Sequence, residues 1–352
     1  MTTRKGKAAT VQPLQRNITE TVGADFGYGN VKGIFGDGTV MFPSVAGHAR
    51  DMKFAAEETS AKYPGDQITD QYGDWFIGEL ALKQIPADQQ LMLKGRTSNA
   101  DEQGMAFRLR MMYALLAKMF PVTHGDAIHI RLATGLPVKH MRDAALMKET
   151  FIGQHSIQAN NANFVANITE CMVMPQPYGT LYSQQILPNG ELDPHYTAIR
   201  TCVVDVGRYT VDCAMDDNGD FIDAQSDSVE AGVHTVQERI AAEMDEVFRQ
   251  PPSYSQIETV LRTKKFKSGT KTYDFSQEVE HAVKPLRDAT LALMNRLWGS
   301  GMGIDVIYIA GGGAPLVREI VERAYPQATV VDNAQMSNAR GYLNYARFIA
   351  RQ

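Results

Sequence analysis

Two segments of the chain place an aspartate just before a run of small residues. The first, at 24–32, reads ADFGYGNVK, and the second, at 204–212, reads VDVGRYTVD. In each, an apolar strand ends at Asp-x-Gly and a tight turn leads into another strand. Small residues let backbone N–H groups approach a phosphate closely, and an aspartate at the strand end can hold magnesium, which prefers oxygen ligands. One such turn from each half of the chain would hold a chain of phosphates from both sides.

An ordinary turn is the usual explanation for a single Asp-x-Gly at the end of a strand. Two at corresponding positions, 180 residues apart, instead indicate a duplicated domain that faces itself across a cleft. A third segment, at 309–314, reads IAGGGA and predicts a strand, three glycines and the start of a helix. Such a flat backbone surface beside a helix N-terminus suits a nucleotide. Its glycine spacing is neither that of a Walker loop nor that of a Rossmann fingerprint.

Composition and charge limit the classes of function. The chain has 352 residues, of which 44% are hydrophobic and 21% charged, as is typical of a globular protein of two or three domains. Its net charge of −5 gives no general electrostatic reason for direct binding to nucleic acid or to an anionic membrane. We therefore predict neither kind of contact, and no apolar run in the sequence is long enough to span a bilayer.

Cysteine usage and the N-terminal residues bear on localisation. Cys171, Cys202 and Cys213 are irregularly spaced beside apolar runs, which predicts three buried thiols in a reducing cytosol. Residues 1–17 are polar and lack the apolar stretch of a secretory signal. We therefore predict a cytoplasmic protein whose N-terminal arm is disordered.

Five segments of the chain, taken in order, resemble those shared by the actin, sugar-kinase and heat-shock-chaperone ATPase superfamily. Two correspond to phosphate segments, two to connecting segments between domains, and one to an adenosine segment. They are 23–32, 172–183, 203–213, 307–315 and 337–346. Because their order is part of the match, the set is far more specific than any one motif.

Within this superfamily the chain is most similar to the ParM/StbA plasmid-partition actins, especially the archaeal-type actin-like proteins. The similarity rests on DFGYGNVK, FPS, MPQPYGTLYS, DVGRYTVD, GGGAPLV and NARGYLNYA. It implies an α/β actin-like fold, with two duplicated RNase H-like domains and a nucleotide cleft between them. It also implies an ATPase that binds ATP (with GTP as the alternative) and Mg²⁺, assembles into filaments, and segregates plasmid DNA through a DNA-binding adaptor protein.

The resemblance also divides the chain. A turn-rich stretch at 188–194 separates two halves that open with the same hairpin pattern. The predicted parts are a disordered arm at 1–18, domain I at 19–190, domain II at 191–336, and a C-terminal helix at 337–352 that returns to domain I.

Residue by residue, the resemblance implies a nucleotide site. Asp25 and Asp205 would organise magnesium and its waters. The phosphate turns would be formed by Gly27, Tyr28, Gly29, Asn30 and Lys32 in the first half, and by Gly207, Arg208, Tyr209 and Thr210 in the second. Gly311, Gly312 and Gly313 would lie along the ribose and α-phosphate, and Gly232, Gln237 and Glu238 would contact ribose or adenine. Tyr28 departs from the family pattern, because many relatives carry Ser or Thr there.

Gln176 is the residue that the resemblance assigns to positioning the attacking water. Actins place a glutamine here, and some partition actins place a glutamate. A neutral amide orients water but is a poor base, so slow hydrolysis is expected. The alternative is that Pro175-Gln176-Pro177 only begins a helix.

Periodicity adds three local predictions. Residues 138–151 are predicted to form a helix, and residues 221–224 to form the third strand of the second hairpin pattern. The run 264–267, with Lys271, is predicted to be a solvated loop, and a filament contact or partner site is the less favoured alternative.

Two other classes of function stay open, because a fold alone does not decide between them. One is a small-molecule kinase of the same superfamily, which needs a catalytic aspartate and polar groups for a second substrate; the sequence has no clear sugar-site motif. The other is a non-polymerising scaffold or regulatory protein that binds nucleotide without turnover.

Overall fold

A computed structural model of the protein describes residues 17–50, 61–93, 102–120, 125–159 and 162–352. Within these ranges, no helix combines the length and the apolar character that crossing a membrane requires. The predicted arm at 1–18 falls outside the described residues except for its last two positions. Asn17 and Ile18 already belong to the first strand, where they pair with Ala127 and Ile128.

Nine strands of the described residues form the first sheet, in the order β3-β2-β1-β7-β9-β8-β5-β6-β4. Their bounds are β1 Asn17–Phe26, β2 Asn30–Phe35, β3 Gly38–Pro43, β4 Ala46–His48, β5 Gln67–Asp70, β6 Gly73–Ile77, β7 Ala127–Leu136, β8 Gly153–Ala159 and β9 Ala162–Pro175. The last four strands of that order extend the sheet beyond the part that is repeated in the second half.

Six strands form the second sheet, in the order β12-β11-β10-β16-β17 with β13 paired to β11. Their bounds are β10 Arg200–Val206, β11 Val211–Asp217, β12 Asp220–Phe221, β13 Asp227–Val229, β16 Val306–Ala310 and β17 Ala328–Val330. A separate hairpin consists of β14 Lys265–Ser268 and β15 Lys271–Asp274. Six of the seven residues of β10 are buried, as is typical of a central strand covered on both faces.

The two sheets repeat one arrangement. β1 pairs antiparallel with β2 and parallel with β7, and β10 pairs antiparallel with β11 and parallel with β16. The hairpin register is also the same, because Asp25 lies opposite Lys32 and Asp205 lies opposite Asp212. The predicted α/β fold with a duplicated core is therefore confirmed.

Nine helices of the described residues cover these sheets. They are α1 Gly78–Gln84, α2 Glu102–Met119, α3 Ala144–Phe151, α4 Gln176–Gln185, α5 Val233–Phe248, α6 Tyr254–Thr263, α7 Ser276–Trp298, α8 Ala314–Ala324 and α9 Ser337–Ile349. The longest, α7, buries residues such as Val279, Val283 and Leu286, whose spacing of three and four places them on one face.

Each of the helices α4 and α9 packs against the sheet of the other half of the chain. Helix α4 follows the first sheet in the chain, but its Leu181 packs with Val203 and Ala214 of the second sheet. Helix α9 follows the second sheet, but its Tyr342 packs with Ala133 of the first. The last helix thus lies against the first half of the chain.

The backbones of α4 and α9 touch at two glycines. A Cβ atom on Gly341 would lie 1.6 Å from the carbonyl oxygen of Gly179, and one on Gly179 would lie 2.7 Å from Cα of Asn338. Real Cβ atoms do not come that close to backbone, so only glycine fits at either position. This contact holds the two crossing segments side by side.

One of the three local predictions is wrong and two are confirmed in part, because the third strand exists as β12 but includes only Phe221 of the predicted residues 221–224. Strand β12 ends at Phe221. Beyond it, the Ser226 hydroxyl accepts a hydrogen bond from Met215 N and donates one to Ile222 O, and so replaces the next strand residue as the partner of Met215 N. The lysine run forms the β14–β15 hairpin rather than a loop. Residues 138–151 are helical, but the first six form a 3-10 turn before α3 begins.

The three cysteines are buried and free, as predicted. Burial raises the pKa of the Cys171 thiol to about 12 and that of Cys213 well above its usual value. These thiols are therefore unreactive packing residues.

Candidate functional site

One cleft is lined by both Asp-x-Gly turns and by the glycine-rich turn after β16. The sequence-predicted residues that line it are Asp25, Gly27, Tyr28, Gly29, Asn30, Lys32, Gln176, Asp205, Gly207, Arg208, Thr210, Gln237, Gly311, Gly312 and Gly313. Because β1 and β10 both end at this cleft, the duplicated hairpins bring their aspartates to the same place.

Three predicted site residues do not line the cleft. Glu238 points away, with a side chain that is 65% exposed and 3.2 Å from the His234 ring. Tyr209 packs edge-on against Tyr28, with ring centroids 5.3 Å apart. Gly232 lies under the second turn, where a Cβ atom would come within 2.2 Å of the Arg208 carbonyl oxygen. The last two support the turns rather than reaching into the cleft.

The first carboxylate of the cleft, Asp25, is held in an ion pair. Lys32 Nζ lies 2.7 Å from Asp25 Oδ2, and Gln176 Nε2 donates a 3.3 Å hydrogen bond to Oδ1. Burial alone would lower the pKa of Lys32, but the charges of Asp25 and Asp205 outweigh it and raise the pKa. Lys32 is therefore a fixed cation at neutral pH.

The second carboxylate, Asp205, has no such partner. Asn338 Nδ2 donates to Asp205 Oδ2 at 2.6 Å, and burial raises the pKa of Asp205 to about 6 against the effects of this bond and of Lys32. Gly311 has φ +83°, and a Cβ atom there would lie 2.3 Å from Asp205 Oδ1. Only glycine allows the backbone to turn this close to the carboxylate.

A third acid, Asp212, stands where the first hairpin has Lys32. It is buried and accepts hydrogen bonds from the hydroxyls of Thr210 and Ser228. Burial raises its pKa. With Asp25 and Asp205, it gives the deep part of the cleft more negative than positive charge, and such a site favours a divalent cation.

The cleft also contains a polar pocket formed by helices α5 and α6. Gln237 Nε2 donates to Glu258 Oε1 at 2.6 Å, which leaves Gln237 Oε1 buried without a hydrogen-bond partner. The Arg208 guanidinium lies 5.6 Å from the ring centroid of Tyr254. This pocket therefore offers an aromatic ring, a guanidinium group and a buried amide oxygen to a ligand.

Sequence reasoning missed several residues of the cleft. Asn338 stands within the quoted NARGYLNYA segment, but no motif indicated that its amide would reach Asp205. Tyr254, Glu258 and Gln335 lie in segments without a recognisable pattern and reach the cleft only through tertiary packing. The i, i+4 spacing of Tyr254 and Glu258 on α6 was the one available signal.

The donor set of the cleft suits magnesium. Mg²⁺ prefers oxygen ligands, and proteins commonly hold it through one or two carboxylates together with substrate phosphates and water. Asp25 and Asp205 provide two such carboxylates at the ends of β1 and β10. Among the described residues, no group of three His, Cys, Asp or Glu side chains is arranged to hold a metal by itself. The residues therefore fit a metal that arrives with a nucleotide.

Two family models match the chain. The one described as "Actin like proteins N terminal domain" matches residues 23–179, and the one described as "Archaeal actin homologue MreB-like, C-terminal" matches residues 203–323. No curated protein sequence matches the chain.

Solved structures of similar fold cover almost the whole chain. A 15-stranded ParM filament from Clostridium botulinum has a TM-score of 0.70 at 21% identity, over 94% of this chain and 99% of that one. An archaeal actin homologue in complex with ADP gives 0.71 at 18% identity, over 95% and 100%. Bacillus thuringiensis ParM with ADP gives 0.66 at 13% identity, over 95% and 99%. At these identities the similarity establishes the fold.

We predict that Lys32→Met lowers the free energy of unfolding by about 3–5 kcal/mol, because it leaves the buried Asp25 carboxylate without its partner. Adding Asp25→Asn should restore part of the loss. Urea unfolding without nucleotide measures both effects.

Lys284→Met is the matched control, because the exposed Lys284–Asp288 pair also has a 2.6 Å separation, with side chains 70% and 63% exposed. It should cost less than about 0.5 kcal/mol. Equal losses for the two lysine variants would contradict the role given to the buried pair.

Proposed function

We propose that this chain, which belongs to the actin-like proteins, is a nucleotide-dependent ATPase that assembles into filaments. The observation that carries the proposal is the pair of hairpins in identical register, which bring Asp25 and Asp205 into one cleft. A cleft built from two duplicated halves can close around a ligand that touches both. Closure would then change the surfaces that neighbouring copies contact.

Phosphate binding is assigned to the two turns. Backbone N–H groups of 27–30 and 207–210 would face the phosphates, and Lys32 would offset part of their charge. Magnesium held there would supply positive charge that offsets the charge of the phosphates. Asp25 and Asp205 would hold its water shell, and Asn338 would keep the Asp205 carboxylate oriented.

Water positioning is assigned to Gln176. Its Nε2 donates to Asp25 Oδ1, so the side-chain carbonyl oxygen is left to accept a hydrogen bond from water. The residue stands at the start of α4, directly after β9, where the backbone fixes its direction. Because an amide cannot take up the proton, slow turnover is expected.

Adenine is the base that the pocket favours. The free Gln237 Oε1 accepts a hydrogen bond, and the 6-amino group of adenine donates one. Guanine has a carbonyl oxygen at that position, which would face the Gln237 oxygen. We therefore assign ATP as the nucleotide and GTP as the weaker alternative.

Filament formation, with a role in DNA segregation, is proposed from the similar fold of filament-forming proteins. The ParM of Clostridium botulinum forms a filament of the same fold. The net charge of −5 disfavours direct contact with DNA, so a role in DNA segregation would need a DNA-binding adaptor protein. The similarity to plasmid-partition actins supports that role for this chain.

The proposed function predicts that the purified protein pellets at high speed with magnesium and ATP above a sharp critical concentration. ADP or the absence of nucleotide should leave it in the supernatant. Nucleotide binding without a pellet at any concentration would instead favour a scaffold protein, and release of ADP only with an added acceptor would favour a kinase.

Gln176→Ala should slow ATP hydrolysis by about 100-fold while leaving ATP affinity nearly unchanged. Phosphate release and equilibrium binding measure the two quantities separately. Gln184→Ala, on the same helix α4, is the control and should keep the wild-type rate. A normal rate in Gln176→Ala would remove this residue from catalysis.

Gln237→Met should reduce the preference for ATP over GTP by about tenfold, the effect of one hydrogen bond to a buried acceptor. Competition binding with both nucleotides measures the ratio. The adjacent Glu238→Gln, which alters a side chain outside the cleft, should leave the ratio unchanged. Equal affinities of the wild-type protein for ATP and GTP would refute the assigned base contact.

A further inference from the structure

The β14–β15 hairpin is a strongly basic surface on an acidic protein. Its lysines are Lys264, Lys265, Lys267 and Lys271, all exposed. One aspartate, Asp274, leaves the segment 264–274 with a net charge of +3. No salt bridge within the described residues involves any of these lysines, but Asp274 lies opposite Lys265 across the hairpin, and Lys271 Nζ lies 4.6 Å from the centroid of the Tyr273 ring. The hairpin is an ordered element whose charges point to solvent, so its charge is available to a partner.

The hairpin is also built to present those charges rigidly. Phe248 of α5 packs against Phe266 of β14 and Tyr273 of β15, with ring centroids 5.3 Å and 4.8 Å apart. Lys264 in the left-handed region, at φ 57°, ends α6 and directs the chain into β14. An isolated two-stranded hairpin is only marginally stable in water, so this aromatic anchor fixes it on the surface.

An acidic surface lies at one end of the second sheet. Asp220 begins β12 and Asp305 precedes β16, at the edge where β10 starts and β11 ends. Asp223 follows β12 in a 3-10 turn. We call these three exposed aspartates the acidic edge. Two neighbouring cations are paired, Arg200 with Asp217 and Arg296 with Asp227, and the backbone N–H groups of Ile199 and Arg200 donate to Asp305.

Two exposed apolar residues lie beside the acidic edge. Met302 is 91% exposed in the short loop between α7 and β16, and Ile199, which donates its N–H to Asp305, is 59% exposed. Large apolar side chains surrounded by charge are typical of a surface that another protein covers.

Helix α7 joins the two surfaces. It begins directly after β15, and its last residue, Trp298, donates a hydrogen bond to the carbonyl of Gln225 beside Asp223. With 23 residues it is roughly 35 Å long and continues through Pro285, so the +3 hairpin and the acidic edge lie near its opposite ends. The two surfaces cannot meet within one molecule.

We propose that the basic hairpin of one copy docks on the acidic edge of the next, so that copies join head to tail along the direction of α7. The two surfaces match in charge, and a contact between different faces of identical subunits continues indefinitely unless the rotation closes a ring. This inference rests on the proposed function and names the surfaces through which the chain self-associates.

Charge reversal in both surfaces tests the contact with full-length protein. Lys265→Glu with Lys267→Glu gives a hairpin variant, and Asp220→Lys with Asp223→Lys gives an edge variant. Each alone should raise the critical concentration for pelleting with ATP by at least about tenfold, because like charges would meet at every junction. Both should still bind ATP.

Mixing the two variants in equal amounts should restore pelleting, because each reversed surface then meets its complement on the other variant. Arg142→Glu with Lys148→Glu, two cations of the first half, is the control and should pellet like wild type. Added salt should raise the wild-type critical concentration and affect the control equally.

The outcomes separate this contact from the proposed function. Wild-type pelleting together with unchanged pelleting of both variants would overturn the contact alone. Failure of the mixture to pellet, while both variants remain folded and bind ATP, would overturn it as well. A wild-type protein that never pellets would overturn the proposed function and the contact with it.

Discussion

Two buried carboxylates that approach from different sheets constrain everything around the cleft. Asp25 and Asp205 lie at the ends of central strands, where water is excluded and like charges repel. Lys32 neutralises the first, and the amide of Asn338 only orients the second. The protein thus maintains an incompletely neutralised site, which is costly in a folded chain and is retained where a cation must bind. A divalent cation would supply the positive charge that these carboxylates lack.

The position of those carboxylates depends on backbone geometry more than on side-chain packing. The hairpin register is the same in both halves, so the two aspartates occupy equivalent positions at their strand ends. Glycine at 311 lets the third turn come close to Asp205. The duplicated hairpins diverge at one inner position, which is Lys32 in one and Asp212 in the other. The duplicated frame therefore carries an asymmetric charge distribution, which would favour one orientation of a bound ligand.

Much of this arrangement could be predicted from the sequence, because strand-turn-strand segments and glycine runs are local patterns. The duplicated fold and the meeting of the two turns followed from the spacing of 24–32 and 204–212. Contacts that depend on how helices pack could not be predicted. Glu238 on α5 was assigned to the site but faces solvent, whereas Glu258 on α6 was not assigned and lines the cleft. The early end of β12 could not be predicted for a different reason, because a single serine hydroxyl replaces a strand partner there.

The glycine contact between α4 and α9 has a mechanical consequence. Both segments that join the halves pass through it, so it is the pivot for any movement of one sheet relative to the other. The two helices are also linked by side chains, because Thr180 bonds Ser337 and Asn338, and Tyr182 stacks on Tyr345 with ring centroids 4.5 Å apart. They would therefore move as one unit, so that a movement of one sheet relative to the other would shift residues near this contact slightly and the outer rims of the cleft more.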